Sequence, residues 1–205
     1  MVYLVSNLPA ASESTILRSM FMARKRVFVD LLRWDVPVLG GLYELDQFDT
    51  PDAAYIVLTG QDGSHRASAR LLRSDRPHIL GSLYRDLCEG PLPSGPSIRE
   101  ITRFCLEPRL GARERRTARE ELVAALVAFA LAHRITHYTG VAQGPWLEQI
   151  LEFGWRCTRL GQMRKIGSSR LGALLIEIGD ETPELLRKGG IGAPVAFEGD
   201  LEDAG

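Results

Sequence analysis

The sequence predicts an α/β fold in which a mixed, twisted sheet is flanked by helices on both faces. Strand-like and helix-like segments alternate along most of the chain, and one pair of strand-like segments is joined by a tight turn. The composition is that of an ordinary globular protein, with 45% hydrophobic and 25% charged residues in a chain of 205. We expect a single domain over residues 1–188, followed by an acidic, frayed tail over residues 189–205.

The N-terminal part of the chain predicts a strand, a helix and a long loop. Residues 2–5 suit a short strand, and Ser12 or Ser14 is a suitable N-cap for a helix that runs to about Trp34. Residues 35–52 are rich in Gly, Pro and Asp. Connections of this length are uncommon unless they bind something, so we expect a binding loop or lid here.

The middle of the chain predicts a hairpin, a short helix and a further strand. Residues 53–60 and 65–72 suit two paired strands, because the Asp-Gly pair between them supplies the positive φ that a tight turn needs. A short helix is expected over residues 78–88. The apolar residues of 98–106 do not alternate cleanly, so we expect a strand there that contains a bulge.

The C-terminal half begins with the clearest helical pattern, over residues 113–133, whose second part is apolar enough to be buried along one wide face. A strand is expected over 136–142 and a helix near 145–153. Strands near 155–160 and over 171–178 complete the predicted order.

Composition also excludes several classes of partner and compartment. The formal net charge is −1, so no overall charge attracts nucleic acid or an anionic membrane. No apolar run approaches the roughly 18 residues that a membrane-spanning helix needs. Cys88, Cys105 and Cys157 are too widely spaced for a disulfide framework or a CxxC metal site. We expect a protein of the cytoplasm, without a metal ion.

An acidic cluster closes the predicted loop, with Glu44, Asp46, Asp49 and Asp52 within a few residues of one another. A metal site is disfavoured, because calcium loops place their ligands on alternate residues around a glycine. Solvated turn residues are the simplest interpretation, which is favoured for Asp52 beside a proline. Pairing with arginines is the third, because Arg70 lies among small and apolar neighbours, where an unpaired guanidinium is costly to bury.

Eight positions decide between these interpretations when they are considered together. Seven of them lie in the segments "MARKRVF", "ELDQFD", "ASARLL" and "REITRF", and the eighth lies between the first two segments. The eight positions are Arg24, Phe28, Trp34, Asp46, Asp49, Arg70, Glu100 and Arg103. Their order and spacing, within a match from about residue 20 to 178, resemble the acyl-homoserine lactone synthases, the autoinducer synthases of bacterial quorum sensing. One departure is Tyr84, where that family usually carries Phe.

The resemblance implies a fold similar to the GCN5-related N-acetyltransferases. It implies a reaction between S-adenosylmethionine (SAM), which is a substrate, and an acylated acyl carrier protein, with no cofactor. It also implies that six residues form the polar network of the site, namely Arg24, Asp46, Asp49, Arg70, Glu100 and Arg103. The nucleoside is then surrounded by Phe28, Trp34, Arg103 and Phe104, and Ala142 falls where some relatives carry a Thr linked to 3-oxo acyl chains.

The chemistry assigns roles within this set. The α-amine must lose a proton before it attacks a thioester, and Glu100 is the candidate base, acting through water or with its pKa raised by burial. Glu100 as a simple partner of Arg103 remains an alternative, as does Phe28 as a residue of the helix core. Cys105 is not expected to be a nucleophile, because a buried thiol is usually a small hydrophobic group.

The acyl donor and its rivals follow from charge and motif. An acidic carrier protein needs a basic surface, which "RCTRLGQMRK" or the arginines of 113–119 could supply, although either run alone is typical of a solvated face. Apolar residues of 122–131 and 138–155 are expected to set the acyl length. The rival is another N-acyltransferase of this fold that uses acyl-CoA, but "EPRLGARERR" has one glycine where those enzymes usually carry a Gly-rich loop. A transcription regulator would need a DNA-reading segment, and the sequence leaves no room for one.

Overall fold

A computed structural model gives the architecture of the protein and describes residues 1–5, 15–192 and 196–198. The helices and strands alternate as the sequence predicts. In chain order they are β1 (Val2–Val5), α1 (Thr15–Arg24), a π-helical segment (Lys25–Leu31), β2 (Val38–Leu39), β3 (Tyr43–Glu44), β4 (Ala54–Thr59), β5 (His65–Arg73), α2 (Ile79–Leu83), a 3-10 turn (Arg85–Leu87), β6 (Ile98–Leu106), α3 (Ala112–Ala132), β7 (His137–Gln143), α4 (Gly144–Leu151), β8 (Arg156–Arg159), β9 (Arg164–Ile166), β10 (Ser169–Glu177), α5 (Thr182–Lys188) and β11 (Phe197–Glu198).

The chain divides into two compact units, and β5, β6 and α3 each run from one unit into the other. The first unit contains Met1–Leu71 and Arg103–Ala125 together with β11, and the second contains Leu72–Thr102 and Leu126–Ala193. The prediction of one domain over residues 1–188 stays a prediction.

The first unit is built on the strands β1, β4 and β5. These strands pair antiparallel in that order, and β11 pairs parallel with β1. The predicted hairpin of β4 and β5 is confirmed, with Gly63 at the turn in the left-handed region at φ 76°. A register shift between Leu58 and Thr59 makes a bulge at the end of this hairpin.

The first helix ends earlier than predicted, and in a different geometry. Helix α1 ends at Arg24 and continues as the π-helical segment to Leu31, not to Trp34. The chain turns out of the helix at Arg33, whose φ is 58°, and Trp34 then donates its N–H to the carbonyl of Phe28 over 2.8 Å. This turn folds the Trp34 side chain back toward the helix. The predicted caps Ser12 and Ser14 lie outside the described residues.

The second unit contains parallel and antiparallel pairs, so the predicted mixed sheet is confirmed. Strand β6 pairs parallel with β7, and β10 pairs antiparallel with β7, β8 and β9. The Tyr138 hydroxyl of β7 donates to the carbonyl of Leu126 in α3. On the opposite face of β7, Val141 packs against a cluster that contains Leu80 of α2. Helices therefore cover both faces of this part of the sheet.

Five short elements were missed by sequence reasoning. The predicted loop over 35–52 contains the small hairpin of β2 and β3, and β9 and α5 were not predicted. Phe197 and Glu198, which were assigned to a frayed tail, pair with Val2 and Tyr3. Strands of two or three residues carry too few positions to show a period, so they are specified by their partners. In the part of the chain that the structure describes, no helix combines the length and apolarity needed to cross a bilayer.

Candidate active site

Six charged side chains of the first unit form one largely buried network. They are three arginines and three carboxylates, namely Arg24, Arg70, Arg103, Glu44, Asp46 and Asp49. Their formal charges balance, so the protein buries no uncompensated charge here. The acidic cluster of the sequence therefore meets cations that the chain itself supplies.

Local structure explains how distant segments reach this point. Arg24 is the last residue of α1, and Arg70 lies in the middle of β5. Glu44 ends β3, and the turn after it presents Asp46 and Asp49, with the N–H of Asp49 donating to the carbonyl of Asp46 over 3.0 Å. The predicted loop thus works as a rigid acidic turn that is held by arginines from a helix and from strands.

Arg24 is completely buried, and all three of its guanidinium nitrogens are engaged. Its Nε donates to Glu44 Oε2 over 2.6 Å, and Nη1 and Nη2 donate to the two oxygens of Asp49 over 2.8 and 2.9 Å. Burial alone would lower the pKa of Arg24, but Asp49 and Glu44 outweigh burial and raise it. Arg24 therefore remains charged and fixed.

Asp49 is the hub of the network. Besides Arg24, its carboxylate meets Arg70 Nη1 at 2.8 Å and accepts hydrogen bonds from the Tyr55 hydroxyl and the Asp46 N–H, each over 2.8 Å. Burial opposes ionisation, but the charges and hydrogen bonds of these arginines hold the pKa of Asp49 well below its usual range. Burial and the nearby Asp49 charge raise the pKa of Tyr55, so this hydroxyl stays protonated and donates.

Arg70 and Asp46 form the second fork. Arg70 Nη1 donates to Asp46 Oδ1 over 2.6 Å, and Nη2 donates to Oδ2 over 3.1 Å. The Phe48 N–H also donates to Asp46 Oδ1, and the Phe48 ring lies 5.9 Å from the Arg70 guanidinium carbon. Burial would raise the pKa of Asp46, but Arg70 and Arg103 lower it overall.

Arg103 lies in β6, and its backbone departs there from the extended geometry of a strand. The bulge that the irregular apolar pattern of β6 predicts stays a prediction. The φ of Arg103 is 49°, a left-handed value that is rare for a residue with a side chain. From this position its guanidinium reaches Glu44 and Asp46, and it lies 5.4 Å from the Phe28 ring and 5.8 Å from the Trp34 ring. These two rings stack with centroids 4.8 Å apart. Phe28 is thus a core residue that also stacks on Trp34 beside the Arg103 guanidinium.

The other predicted site residues are Phe104, in the first unit, and Glu100 and Ala142, in the second unit. Phe104 follows Arg103 on β6 in the first unit and is half-buried. Glu100 and Ala142 belong to the second unit, and both are buried. The Glu100 carboxylate accepts hydrogen bonds from the backbone N–H groups of Ile79 and Leu80, each over 2.8 Å. These bonds fix its orientation at the start of α2.

Sequence reasoning missed two members of the site and judged two other residues correctly. Glu44 was noted only as one of four acids, and Tyr55 was assigned simply to a strand. Asp52 is exposed in a turn, as predicted. Cys105 is completely buried, and burial raises the pKa of its thiol to about 12, so it packs as a small hydrophobic group.

Sequence comparisons point to one family. A family model described as autoinducer synthase matches residues 8–186. An acyl-homoserine-lactone synthase of Ralstonia nicotianae is 31% identical over 166 residues, which is 78% of this chain and 80% of the relative.

Solved structures agree on the fold. A CoA-dependent acyl-homoserine lactone synthase, solved with SAM and isopentyl-CoA, superposes with a TM-score of 0.85 at 23% identity, covering 100% of this chain and 96% of the other. A protein of Lactobacillus plantarum described as an N-acetyltransferase gives a TM-score of 0.56 at 16% identity, over 87% and 99% of the two chains. The predicted likeness to the GCN5-related fold is therefore confirmed.

Proposed function

The chain belongs to the autoinducer synthase family, and from this premise we propose that it joins SAM to the acyl group of an acyl-carrier-protein thioester. It is an acyl-homoserine-lactone synthase, and therefore an acyltransferase. The proposed reaction has two steps, N-acylation of the α-amine and closure of the lactone ring. Its products are an N-acyl homoserine lactone, which serves as a quorum-sensing signal, and methylthioadenosine.

The observation that supports this proposal is the charge network beside a stacked aromatic pair. The rings of Phe28 and Trp34 offer a flat apolar wall, which suits an adenine. Arg103, over both rings, offers a guanidinium to a carboxylate. SAM carries both of these groups on one molecule.

The acylation step needs a neutral amine. An α-amino group ordinarily titrates near a pKa of about 7.7–8.0, so a base must take its proton. We assign this role to Glu100, whose carboxylate is fixed by two backbone N–H groups. The amine then attacks the thioester carbonyl carbon, the carbon–sulfur bond breaks, and the departing thiolate takes a proton.

The second step closes the ring without a further reagent. A carboxylate oxygen of the acylated substrate attacks the carbon next to the sulfonium, and the carbon–sulfur electron pair leaves with methylthioadenosine. The positive charge of the sulfonium is thereby cancelled by the carboxylate. Over both steps the ammonium loses two protons, of which one goes to the thiol and the other to solvent.

The acyl donor is assigned from an exposed basic hairpin in the second unit. Arg164, Lys165 and Arg170 lie on the paired strands β9 and β10, and all three side chains are exposed. Within the described residues none of the three has an ion-pair partner, whereas Arg156 and Arg159 pair with glutamates. Unpaired cations on a surface suit an acidic carrier protein. The same cations suit the phosphates of CoA, so an acyl-CoA donor is the second candidate.

A reconstituted assay tests the function and the donor together. The purified protein is incubated with SAM and either an acyl carrier protein thioester or the CoA thioester of the same acyl chain, and products are followed by mass spectrometry. We expect lactone and methylthioadenosine in equal amounts, with faster turnover on the carrier protein. An N-acyl product without methylthioadenosine would instead indicate another N-acyltransferase of this fold.

Variants test the assigned residues in the same assay. We expect Glu100→Gln and Arg70→Ala each to abolish lactone formation, because the first removes the base and the second breaks the network. Wild-type yields from both variants would contradict the site assignment. The lactones in the medium of an expressing host test two further predictions. Their acyl length tests whether the apolar residues of 122–131 and 138–155 set the length, and the absence of a 3-oxo group tests whether Ala142 favours an unsubstituted chain.

A further inference from the structure

The three arginines of the network differ in their side-chain exposure and in the number of guanidinium nitrogens that form hydrogen bonds. Side-chain exposure is 1% for Arg24 and 0% for Arg70, but 9% for Arg103. Arg24 uses all three nitrogens on carboxylates. Arg103 uses only Nε and Nη2, and its Nη1 makes no hydrogen bond to any residue that the structure describes. Arg103 Nη1 is therefore placed to receive an anionic group from outside the network.

Glu44 determines which edge of Arg103 is engaged. Glu44 Oε1 accepts from Arg103 Nε over 3.1 Å and from Nη2 over 3.0 Å, so one oxygen spans the Nε–Nη2 edge. Its other oxygen is held by Arg24 Nε over 2.6 Å, and the side chain is completely buried. Glu44 thus links a fully enclosed arginine to the partly accessible one.

The backbone of Arg103 makes this support necessary. Its left-handed φ of 49° persists in a non-glycine residue only where the surroundings over-determine it. Three things hold it here, namely the Glu44 carboxylate, the Asp46 contact over 2.6 Å, and the faces of Phe28 and Trp34. Glu44 is the only one of these that grips both Nε and Nη2.

We infer that Glu44 is a positioning residue, which turns Arg103 so that Nη1 faces the α-carboxylate of the substrate. This inference rests on the proposed function, because the carboxylate belongs to SAM. Glu44 does not touch the substrate. In Glu44→Gln the network has three arginines and two carboxylates, and an amide NH2 replaces an acceptor. Asp46, which also binds Arg70, is then the one carboxylate of the network that still binds Arg103, and Arg103 loses its fixed orientation.

The test compares two ligands that share a nucleoside. S-adenosylhomocysteine carries the α-carboxylate and a neutral sulfur, and methylthioadenosine lacks the amino-acid part. Calorimetric dissociation constants are measured for both on the wild type, Glu44→Gln and Glu44→Asp. In Glu44→Gln we expect S-adenosylhomocysteine to bind about tenfold more weakly, with methylthioadenosine changed by less than about threefold. Glu44→Asp keeps the charge, so its dissociation constant for S-adenosylhomocysteine is expected to lie between those of the wild type and Glu44→Gln.

A matched control and distinct outcomes separate this inference from the proposed function. Asp52→Asn removes an exposed acid from the same turn region and is expected to change neither constant. Equal weakening of both ligands in Glu44→Gln, or of neither, would overturn the positioning role. A wild type that binds neither ligand would instead overturn the proposed function. Melting temperatures identify a variant that fails to fold, in which case Glu44→Asp carries the comparison.

Discussion

The acidic turn of the first unit and the basic hairpin of the second unit manage their charges in opposite ways. In the turn, three carboxylates are largely buried and each meets at least two donors. In the hairpin, Arg164, Lys165 and Arg170 are exposed and have no ion-pair partner among the described residues. Buried pairing fixes geometry at a cost in desolvation, whereas exposed cations keep their mobility and their availability.

The difference indicates which property each region contributes. Charges that are paired and buried are screened little by salt and hold a small molecule's site in one shape. Unpaired surface charges act over about 8–10 Å in ordinary salt and steer a partner more than they stabilise the fold. Removing charge should therefore cost stability in the first unit and association in the second.

The largest expected effect comes from breaking the buried side. Arg70→Ala removes both hydrogen bonds from Arg70 to Asp46 and the ion pair of Arg70 with Asp49. The network is then left with three carboxylates and two arginines, so one buried negative charge is uncompensated. We expect the free energy of unfolding to fall by about 3–5 kcal/mol, measured by urea denaturation. Arg164→Ala removes the same kind of side chain from the hairpin and is expected to change it by less than about 0.5 kcal/mol. Equal losses in the two variants would remove the distinction between the regions.

Acid unfolding separates the ion-paired carboxylates of the first unit from its buried histidine, His65, whose Nε2 lies 2.9 Å from the Ser68 hydroxyl oxygen. The pKa values of Asp46 and Asp49 are lowered in the fold, so the unfolded chain takes up protons first once the pH falls below about 3.8. The contribution of Asp46 and Asp49 to the free energy of unfolding is complete above that pH and is lost as the pH falls further. Burial lowers the pKa of His65 from 6.5 to about 4, so its contribution is lost earlier, as the pH falls from 6.5 to 4.

This gives a measurable step in the pH profile of stability. Between pH 6.5 and 4 the wild type is expected to lose up to about 3 kcal/mol through His65. His65→Gln cannot take up this proton, and its free energy of unfolding should stay flat across the same window. Urea denaturation at several pH values measures both proteins. A sloping profile that is identical in the variant would assign the loss to other groups.

The parts of the fold and site that could be predicted from the sequence are those with strong local signals. The Asp-Gly turn specified the hairpin of β4 and β5, and the broken alternation of β6 indicated an irregular strand, in which Arg103 has a φ of 49°. Arg70 required a carboxylate because its strand neighbours are apolar, and the structure supplies Asp46. In each case the local sequence alone indicated the feature, without knowledge of the residue that contacts it.

The missed features depend on partners that no local pattern reveals. Tyr55 reads as an ordinary strand residue, and only the arrival of Asp49 gives its hydroxyl a function. Glu44 reads as one acid among four, and its role appears when Arg24 and Arg103 meet it from different elements. The π-helical turn after Arg24 likewise follows from packing, since spacing near the helical period fits an α-helix equally well.

Removing charge from the basic hairpin is expected to have a smaller effect, on the KM for the acyl donor and not on stability. Arg164→Gln with Lys165→Gln should raise the KM for an acyl-carrier-protein donor by about tenfold at low ionic strength, with kcat little changed. The loss should shrink as salt rises, because salt already screens the wild-type surface. Initial rates at low and high salt measure this.

A matched loss of charge on α3 is the control for the hairpin. Arg113→Gln with Arg116→Gln removes two cations from the other basic run, where Arg116 already pairs with Glu120 over 2.7 Å. We expect the KM of this double variant to stay near the wild-type value. The reverse result would move the docking surface to α3.

The smallest expected effect refines the buried side. Tyr55→Phe removes one donor from Asp49 but keeps the ring that packs edge-on against Phe21, with centroids 5.9 Å apart. Asp49 keeps Arg24, Arg70 and the Asp46 N–H, so its charge stays compensated. We therefore expect a loss of only about 1 kcal/mol in urea denaturation, with the acid transition of Asp49 moved to higher pH. A loss as large as that of Arg70→Ala would mean that the hydroxyl, and not the paired charges, holds the acidic turn in place.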